Sequence, residues 1–237
     1  MSLLLTIQDA SAQVSGAMPD LSSSVQLSKE AHINAFDLAV KGGWIMIPIA
    51  LLLFIAIAVF IERVIVIKRA EKEDQSFMHR IKDYIHEGKI SSAINLCKST
   101  DTPYSRMIEK GISRLGRPMN DIQVAIENVG NIEIAKLEKG FVWVATAAGT
   151  APMLGFLGTV TGMVRAFFDM ANAGSNVDIT LLSSGIYEAL VTTVAGLIVG
   201  IIAMFAYNYL TAEVTGVVNK MEARSMEFMD LLNEPTS

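Results

Sequence analysis

The chain has 237 residues, of which 51% are hydrophobic and only 18% charged, and its formal net charge is -5. This composition is unusual for a soluble domain and typical of an integral membrane protein. No cluster of Lys and Arg has aromatic residues interleaved, so nucleic acid is not an expected partner. The sequence also lacks a phosphate-binding loop, a nucleophile elbow and a metal-binding helix pattern. It therefore argues against an enzyme and predicts neither a cofactor nor a metal site.

Residues 1–41 are predicted to form a periplasmic and interfacial segment ahead of the first membrane crossing. No basic residue precedes Lys29, so a cleaved export signal is not expected. Apolar residues recur at helical spacing towards the end of this segment, namely Ile33, Phe36 and Val40. The pattern indicates an amphipathic helix, which lies either on the membrane surface or against a neighbouring subunit.

The first apolar run, WIMIPIALLLFIAIAVFI, extends from Trp44 to Ile61 and is followed by Glu62 and Arg63. Its length is close to what a helix needs to cross about 30 Å of hydrocarbon. Residues 42–67 are therefore predicted to form the first transmembrane helix, with Trp44 as an interfacial anchor. Nothing inside the run is polar, which favours a lipid-facing role.

Residues 68–139 are predicted to form a cytoplasmic helical domain. Of the 19 Lys and Arg residues, 14 lie between positions 62 and 139, and basic loops stay in the cytoplasm. The same rule predicts a periplasmic amino terminus and a cytoplasmic carboxyl terminus.

Helical spacing of apolar residues divides this domain into short helices. FMHRIKDYIHEG ends at Gly88, ISSAINLCKS is a short helix, and YSRMIEKGISRLG closes at Gly116. After Pro118, MNDIQVAIENVGNIEIAKLEKG is predicted to run without a break into the second crossing. Cys97, the single cysteine, cannot form an internal disulfide and is expected to be a small buried apolar residue.

Two long apolar runs joined by a short polar loop are the most distinctive part of the sequence. Positions 140–164 comprise 25 residues without a formal charge, and positions 189–212 comprise another 24. Each is long enough to cross a bilayer. They predict a second transmembrane helix over 140–168, a periplasmic loop over 169–181, a third transmembrane helix over 182–212 and a cytoplasmic C-terminal helix over 213–237.

Small residues recur at three- and four-residue steps along both runs. Such stripes let helix backbones approach closely in lipid, where helices have no hydrophobic reason to associate. The glycines predicted to pack the two helices together are Gly155, Gly158, Gly162, Gly196 and Gly200.

Polar side chains inside the two runs, among them Thr159, Thr192, Thr193 and Glu188, predict a path for something polar. An acid at membrane depth usually faces a water-filled cavity and serves ions or protons. A third helix that starts at Leu190 would leave Glu188 at the headgroups; the earlier start, at residue 179, is favoured because ITLLSSGIY is uncharged. The alternative is a structural interpretation, in which each hydroxyl bonds to its own helix and these residues only pack.

LGFLGTVTGM, followed further along by GIYEALVTTVAGLIVG and AYN, resembles the signature of the MotA/TolQ/ExbB proton-channel family. The Glu62–Arg63 pair is similar to the family's first-helix ending, and the number of crossings resembles ExbB and TolQ rather than MotA. By motif position, the resemblance implies that Thr159, Glu188 and Thr193 line a channel. Because Thr192 stands beside Thr193, which hydroxyl faces inward is left open.

The resemblance implies a subunit of a bacterial inner-membrane complex that uses the proton motive force to drive TonB-dependent outer-membrane transport. It implies a homopentamer in membrane lipid, an ExbD-like single-span partner whose aspartate carries the proton, and a TonB-like energy transducer. A single membrane-embedded acid in this chain agrees with a second component that supplies a carboxylate. The alternatives are a TolQ-like envelope-maintenance role, a gliding-type motor subunit, and a non-conducting structural scaffold.

Overall fold

The computed structural model describes residues 43–72, 76–172 and 179–233, and within them the chain is entirely helical. The predicted all-α membrane class is confirmed. The amphipathic helix predicted within residues 1–41 lies outside the described residues. The helices are α1 (Met46–Glu71), α2 (Phe77–His86), α3 (Ile90–Thr100), α4 (Pro103–Ile112), α5 (Met119–Leu137), α6 (Phe141–Asn172) and α7 (Ile179–Asn233).

Helices α1, α6 and α7 are long and apolar enough to cross a membrane. Their outward faces carry large hydrophobic side chains: Phe54, Phe156 and Phe205 are 72%, 67% and 73% exposed. A surface of this kind is suited to lipid rather than to water. Helix α7 has 55 residues and is about 80 Å long at about 1.5 Å per residue, far more than about 30 Å of hydrocarbon. It therefore projects well beyond the bilayer.

The third apolar helix starts at Ile179, as the uncharged ITLLSSGIY stretch predicts. Glu188 consequently lies inside the helix, more than two turns from its start. Which residues of each helix lie in hydrocarbon stays a prediction.

The prediction of an unbroken helix from Pro118 into the second crossing is wrong. Helix α5 ends at Leu137 and α6 begins at Phe141, and Gly140 between them has a φ of +91°. That backbone conformation is open to glycine and strained for other residues. A Cβ at Gly140 would also lie 3.3 Å from Cγ1 of Val59, so the break occurs where the chain passes close to α1.

Outside the apolar helices, α2, α3 and α4 pack around the extensions formed by α5 and the second half of α7. Their shared core is mainly apolar, with Phe77, Ile108, Ile126 and Phe228 at 0% exposure. Phe77 meets Tyr104 edge to face, with ring centroids 5.2 Å apart, a favourable aromatic geometry. Cys97 lies in the same core, also at 0% exposure, which confirms its prediction as a buried residue.

A chain of ionic and backbone contacts joins the short helices to the end of α1. The buried Glu133 carboxylate accepts hydrogen bonds from Arg106 and Lys136, both at 2.7 Å. Arg63, at the end of the first apolar run, donates to the Lys136 carbonyl at 3.2 Å. Burial by itself would raise the pKa of Glu133, but its two cationic partners lower the pKa below the usual value. The contribution of this carboxylate to stability is therefore present above the ordinary glutamate pKa and is lost as pH falls through the lowered value.

We expect Cys97 to resist thiol reagents in the folded protein. Burial raises the pKa of the Cys97 thiol to about 12, so near pH 8 almost none of it is the reactive thiolate. Mass spectrometry after maleimide treatment should show modification only once the protein is denatured. As a control, the Ser91→Cys variant in a Cys97→Ser background places a thiol at an exposed position of the same helix and should react at once. Equal labelling rates at the two positions would contradict this account.

Candidate functional site

The middle of α6 and the first third of α7 touch backbone to backbone. A Cβ built at Gly196 would lie 2.5 Å from the Ala151 carbonyl oxygen and 2.9 Å from Cα of Gly155. A Cβ at Gly155 would lie 2.9 Å from the Thr192 carbonyl oxygen. No side chain fits at either position without a shift of backbone, so this crossing requires glycine on both helices.

Further glycines continue the contact in both directions along the pair. A Cβ at Gly162 would lie 3.0 Å from Cβ of Ala189, and one at Gly200 would lie 2.5 Å from Cγ of Pro152. Because Pro152 sits inside α6 and lacks an N–H, the Ala148 carbonyl loses its helical donor. Gly200 packs over that carbonyl, since its Cβ would lie only 3.2 Å from the oxygen.

Gly185 was not singled out from the sequence but belongs to the same contact. A Cβ there would lie 2.6 Å from Cβ of Ala166. Its position was available as a signal, because Gly185, Ala189, Thr192, Gly196 and Gly200 follow one another in steps of three and four residues. The sequence analysis therefore named one packing glycine too few on the third apolar helix.

The two neighbouring threonines of α7 have different surroundings. Thr192 is buried, 2% exposed, faces Gly158 of α6, and donates to the Ala189 carbonyl of its own helix at 2.8 Å. Thr193 instead donates across the interface to the Gly155 carbonyl at 3.0 Å. Its hydroxyl proton is therefore used to join α7 to α6.

The hydroxyls of α6 bond within their own helix. Thr159 donates to the Phe156 carbonyl at 2.6 Å and Thr161 donates to the Leu157 carbonyl at 2.8 Å. Such bonds satisfy the hydroxyl hydrogen without a partner from elsewhere. The oxygen of each hydroxyl keeps accepting capacity, so it remains available to water or to a donor from another chain.

Glu188 lies beside a small cavity between the start of α1 and the α6–α7 pair. The cavity has a volume of about 60 Å³, enough for a few water molecules by the usual requirement of about 10–15 Å³ each. Its walls are formed by Trp44, Ile45, Gly158, Thr161, Gly162, Arg165, Glu188 and Thr192. One carboxylate, one guanidinium and two hydroxyls thus border a space that is otherwise walled by apolar side chains and glycine.

The backbone before α1 closes one side of this cavity. Gly43 has a φ of +66°, and a Cβ there would collide with the Oε1 atom of Glu188. Glycine is therefore needed for two reasons, its conformation and the approach of the carboxylate. The start of the first apolar helix takes part in positioning Glu188.

The cavity brings together some of the predicted site residues and leaves others apart. Glu188 and Thr192 line it, whereas Thr159 and Thr193 are not among its wall residues. Sequence reasoning missed Arg165, and it counted Thr161 among the hydroxyls of the apolar runs without choosing it as a site residue. Helical spacing offered a signal for both, because Thr161 and Arg165 are four residues apart and Gly158 precedes them on the same face.

These features define a class: a membrane protein of three apolar helices, two of which pack through glycine beside a polar, acid-bearing cavity. The model of the MotA/TolQ/ExbB proton channel family matches residues 99–223, which is more than half of the chain. The chain belongs to this family, whose members are channel-type proteins rather than enzymes.

Similar proteins extend the match beyond that region. The putative biopolymer transport protein ExbB homolog of Methanothermobacter thermautotrophicus is 30% identical over 142 residues, 60% of this chain and 50% of that protein. The biopolymer transport protein ExbB of Neisseria gonorrhoeae is 26% identical over 74% of this chain and 84% of its own length. The Tol-Pal system protein TolQ of Haemophilus influenzae is 27% identical over 79% and 88%. The matched part of the chain thus spans half of the archaeal relative and most of the two bacterial ones.

We expect a side chain at Gly196 to separate α6 from α7. Gly196→Ala puts a methyl group against the backbone of α6, and overpacking of this kind costs about 1–3 kcal/mol. The detergent-solubilised protein should unfold at a lower temperature than the wild type. Gly149→Ala is the matched control, because a Cβ at that position of α6 meets nothing within 4 Å. Equal melting temperatures for the two variants would contradict close packing at Gly196.

Proposed function

We propose that this protein is the channel-type subunit of a bacterial inner-membrane complex that couples proton flow to work in the cell envelope. The observation that carries the proposal is the cavity shared by Glu188, Thr192 and Arg165 within an apolar helical hairpin. A carboxylate in such a place is costly and is usually retained for ion or proton transfer. Membership of a proton-channel family supports the same reading of the site.

In this proposal Glu188 exchanges protons with water that enters the cavity from the side of the interhelical loop. Arg165 lies on the same cavity and supplies a positive charge beside this path. The hydroxyl oxygen of Thr192 lies on the wall of the same cavity. The cavity does not extend to Thr146 or Thr150, which lie nearer the start of α6, so one chain encloses only part of a path across the hairpin.

The remaining part of the path comes from other chains in this proposal. We infer a homo-oligomer, the pentamer that the family resemblance implies, arranged around an ExbD-like single-span partner whose membrane aspartate receives the proton. A TonB-like transducer would then carry the work to the outer membrane. The amino terminus faces the periplasm and the carboxyl terminus the cytoplasm, because the basic residues concentrate between the first and second crossings.

A second candidate is an envelope-maintenance role of the TolQ kind. The observation that favours it is the match to the Tol-Pal system protein TolQ, which covers 79% of this chain. The two candidates differ in their partners rather than in the site. Affinity purification from the native membrane, followed by mass spectrometry, distinguishes them by whether a TonB-like or a Tol-Pal-type protein is recovered.

We expect Glu188→Gln to abolish proton-driven activity while leaving assembly unchanged. Glutamine is nearly isosteric but does not exchange a proton at neutral pH, so proton flux in vesicles that hold the chain and its partner should fall at least about tenfold, a barrier increase of about 1.4 kcal/mol. Glu227→Gln, at an exposed position on the same helix, is the control and should conduct normally. Normal flux in the Glu188→Gln variant would remove this acid from the mechanism.

The two neighbouring threonines should separate on substitution by valine. Thr192→Val retains the shape of the buried side chain but removes its hydroxyl oxygen from the cavity wall. Proton flux should therefore fall. Thr193→Val removes the hydrogen bond to Gly155 and should mainly lower the melting temperature, by an amount that corresponds to about 0.6 kcal/mol for a typical interhelical bond.

Thr146→Val serves as the control for both threonine variants, since its hydroxyl bonds only to the Val142 carbonyl of its own helix. Flux and melting temperature should both stay at the wild-type values. If Thr192→Val conducts normally and Thr193→Val does not, the roles assigned here to the two hydroxyls are reversed.

A further inference from the structure

A large recess lies outside the apolar hairpin, between α5 and the second half of α7. It is a groove of about 760 Å³. Its walls run from Met119 to Ile134 on α5 and from Val218 to Asn233 on α7. At about 1.5 Å per residue each wall is about 23 Å long, which matches a helix of about 15 residues.

The groove exists because α7 is packed closely against α6 along its first part but stands away from α5 along its second part. Within the hairpin, Gly155 and Gly196 bring the backbones of α6 and α7 together. Beyond the break at Gly140, α5 and α7 stand apart, and Met107 from α4 forms the floor between them. Gly130 widens the space above that floor, since a Cβ there would lie 3.1 Å from Cε of Met107.

The lining of the groove is rich in methionine. Five of its 15 residues are methionine, and they come from all three helices that border it: Met107, Met119, Met221, Met226 and Met229. Methionine side chains are flexible and polarisable, and surfaces built from them adapt to the apolar face of an amphipathic helix. Met226 is 66% exposed, so the lining is accessible from outside.

The charged side chains that line the groove are all acidic. Glu127 lies on the α5 wall and Glu222 on the α7 wall, and within the described residues no Lys or Arg lines the groove or pairs with either of these carboxylates. Asp230 adds a third carboxylate but also borders a neighbouring recess that contains Lys82 and His79. Glu127 and Glu222 border this groove and not the neighbouring recess, and they place one carboxylate on each wall.

We propose that this groove binds a cationic amphipathic helix of a partner protein, with its apolar stripe on the methionines and its Lys or Arg residues beside Glu127 and Glu222. Opposite charges on the rim favour such a helix and disfavour an acidic one. The same charges repel anionic lipid headgroups. This binding site is separate from the cavity at Glu188 and does not depend on proton conduction.

The test uses the full chain in phosphatidylcholine nanodiscs and a fluorescent peptide of about 14 residues, with Leu at helical spacing and Lys elsewhere. Anisotropy, corrected with empty nanodiscs, should show saturable binding. The same peptide with Glu in place of Lys should bind at least tenfold more weakly. Equal binding of the two peptides would overturn the proposal.

The Glu127→Gln/Glu222→Gln double variant should weaken binding of the Lys peptide about tenfold, because two charge-assisted contacts are lost. Asp121→Asn/Glu138→Gln removes two exposed acids at the ends of α5 that do not line the groove, and it should leave affinity unchanged. An equal loss in both double variants would mean general charge attraction and would overturn the proposal.

A third variant, Ser225→Trp, fills the groove without a change of charge and should reduce binding at least as much as the glutamate variant does. Wild-type affinity in this variant would place the peptide elsewhere. A photo-crosslinking residue at Met226 tests occupancy directly. A cross-link to the added peptide supports the proposal, whereas a cross-link to a second copy of the chain that the peptide does not reduce would assign the groove to subunit contact and overturn it.

Discussion

The structure depends on one contact, the approach of the α6 and α7 backbones at Gly155 and Gly196. In lipid, helices gain nothing from hydrophobic association, so close van der Waals packing and interhelical hydrogen bonds must hold the pair. Glycine makes both possible here, because it lets the Thr193 hydroxyl reach the Gly155 carbonyl at 3.0 Å. The position and rotation of α7 relative to α6 follow from this contact.

With α7 held in this orientation, its polar side chains have different surroundings. Thr193 faces the backbone of α6, whereas Thr192 and Glu188, on another side of the helix, face a cavity with Arg165. Two adjacent hydroxyls thus acquire two roles, one in packing and one on the cavity wall. The start of α1 completes the arrangement, because Gly43 leaves room for the Glu188 carboxylate.

Beyond the apolar hairpin, different interactions hold the same long helices. The break at Gly140 redirects the chain, and an apolar core with the buried Glu133 joins the short helices to α5 and α7. Arg63 connects this region to the end of the first apolar helix through the Lys136 carbonyl. The apolar hairpin and the projecting bundle are therefore joined by α7 and by this hydrogen bond. A glycine contact organises the hairpin, whereas burial of apolar side chains organises the bundle.

The sequence by itself determined the helical class, the apolar helices and the short helices between them, because hydropathy and helical spacing are local properties. It also drew attention to Glu188, an acid at the head of a long uncharged run, and this residue lines the cavity. Only the tertiary structure decided that Thr192 rather than Thr193 lines the cavity and that Arg165 and Gly43 belong to the site. The tertiary structure also showed that the helix breaks at Gly140. The physical reason is that these features depend on how helices rotate and approach one another, and that is set by contacts between residues far apart in the chain.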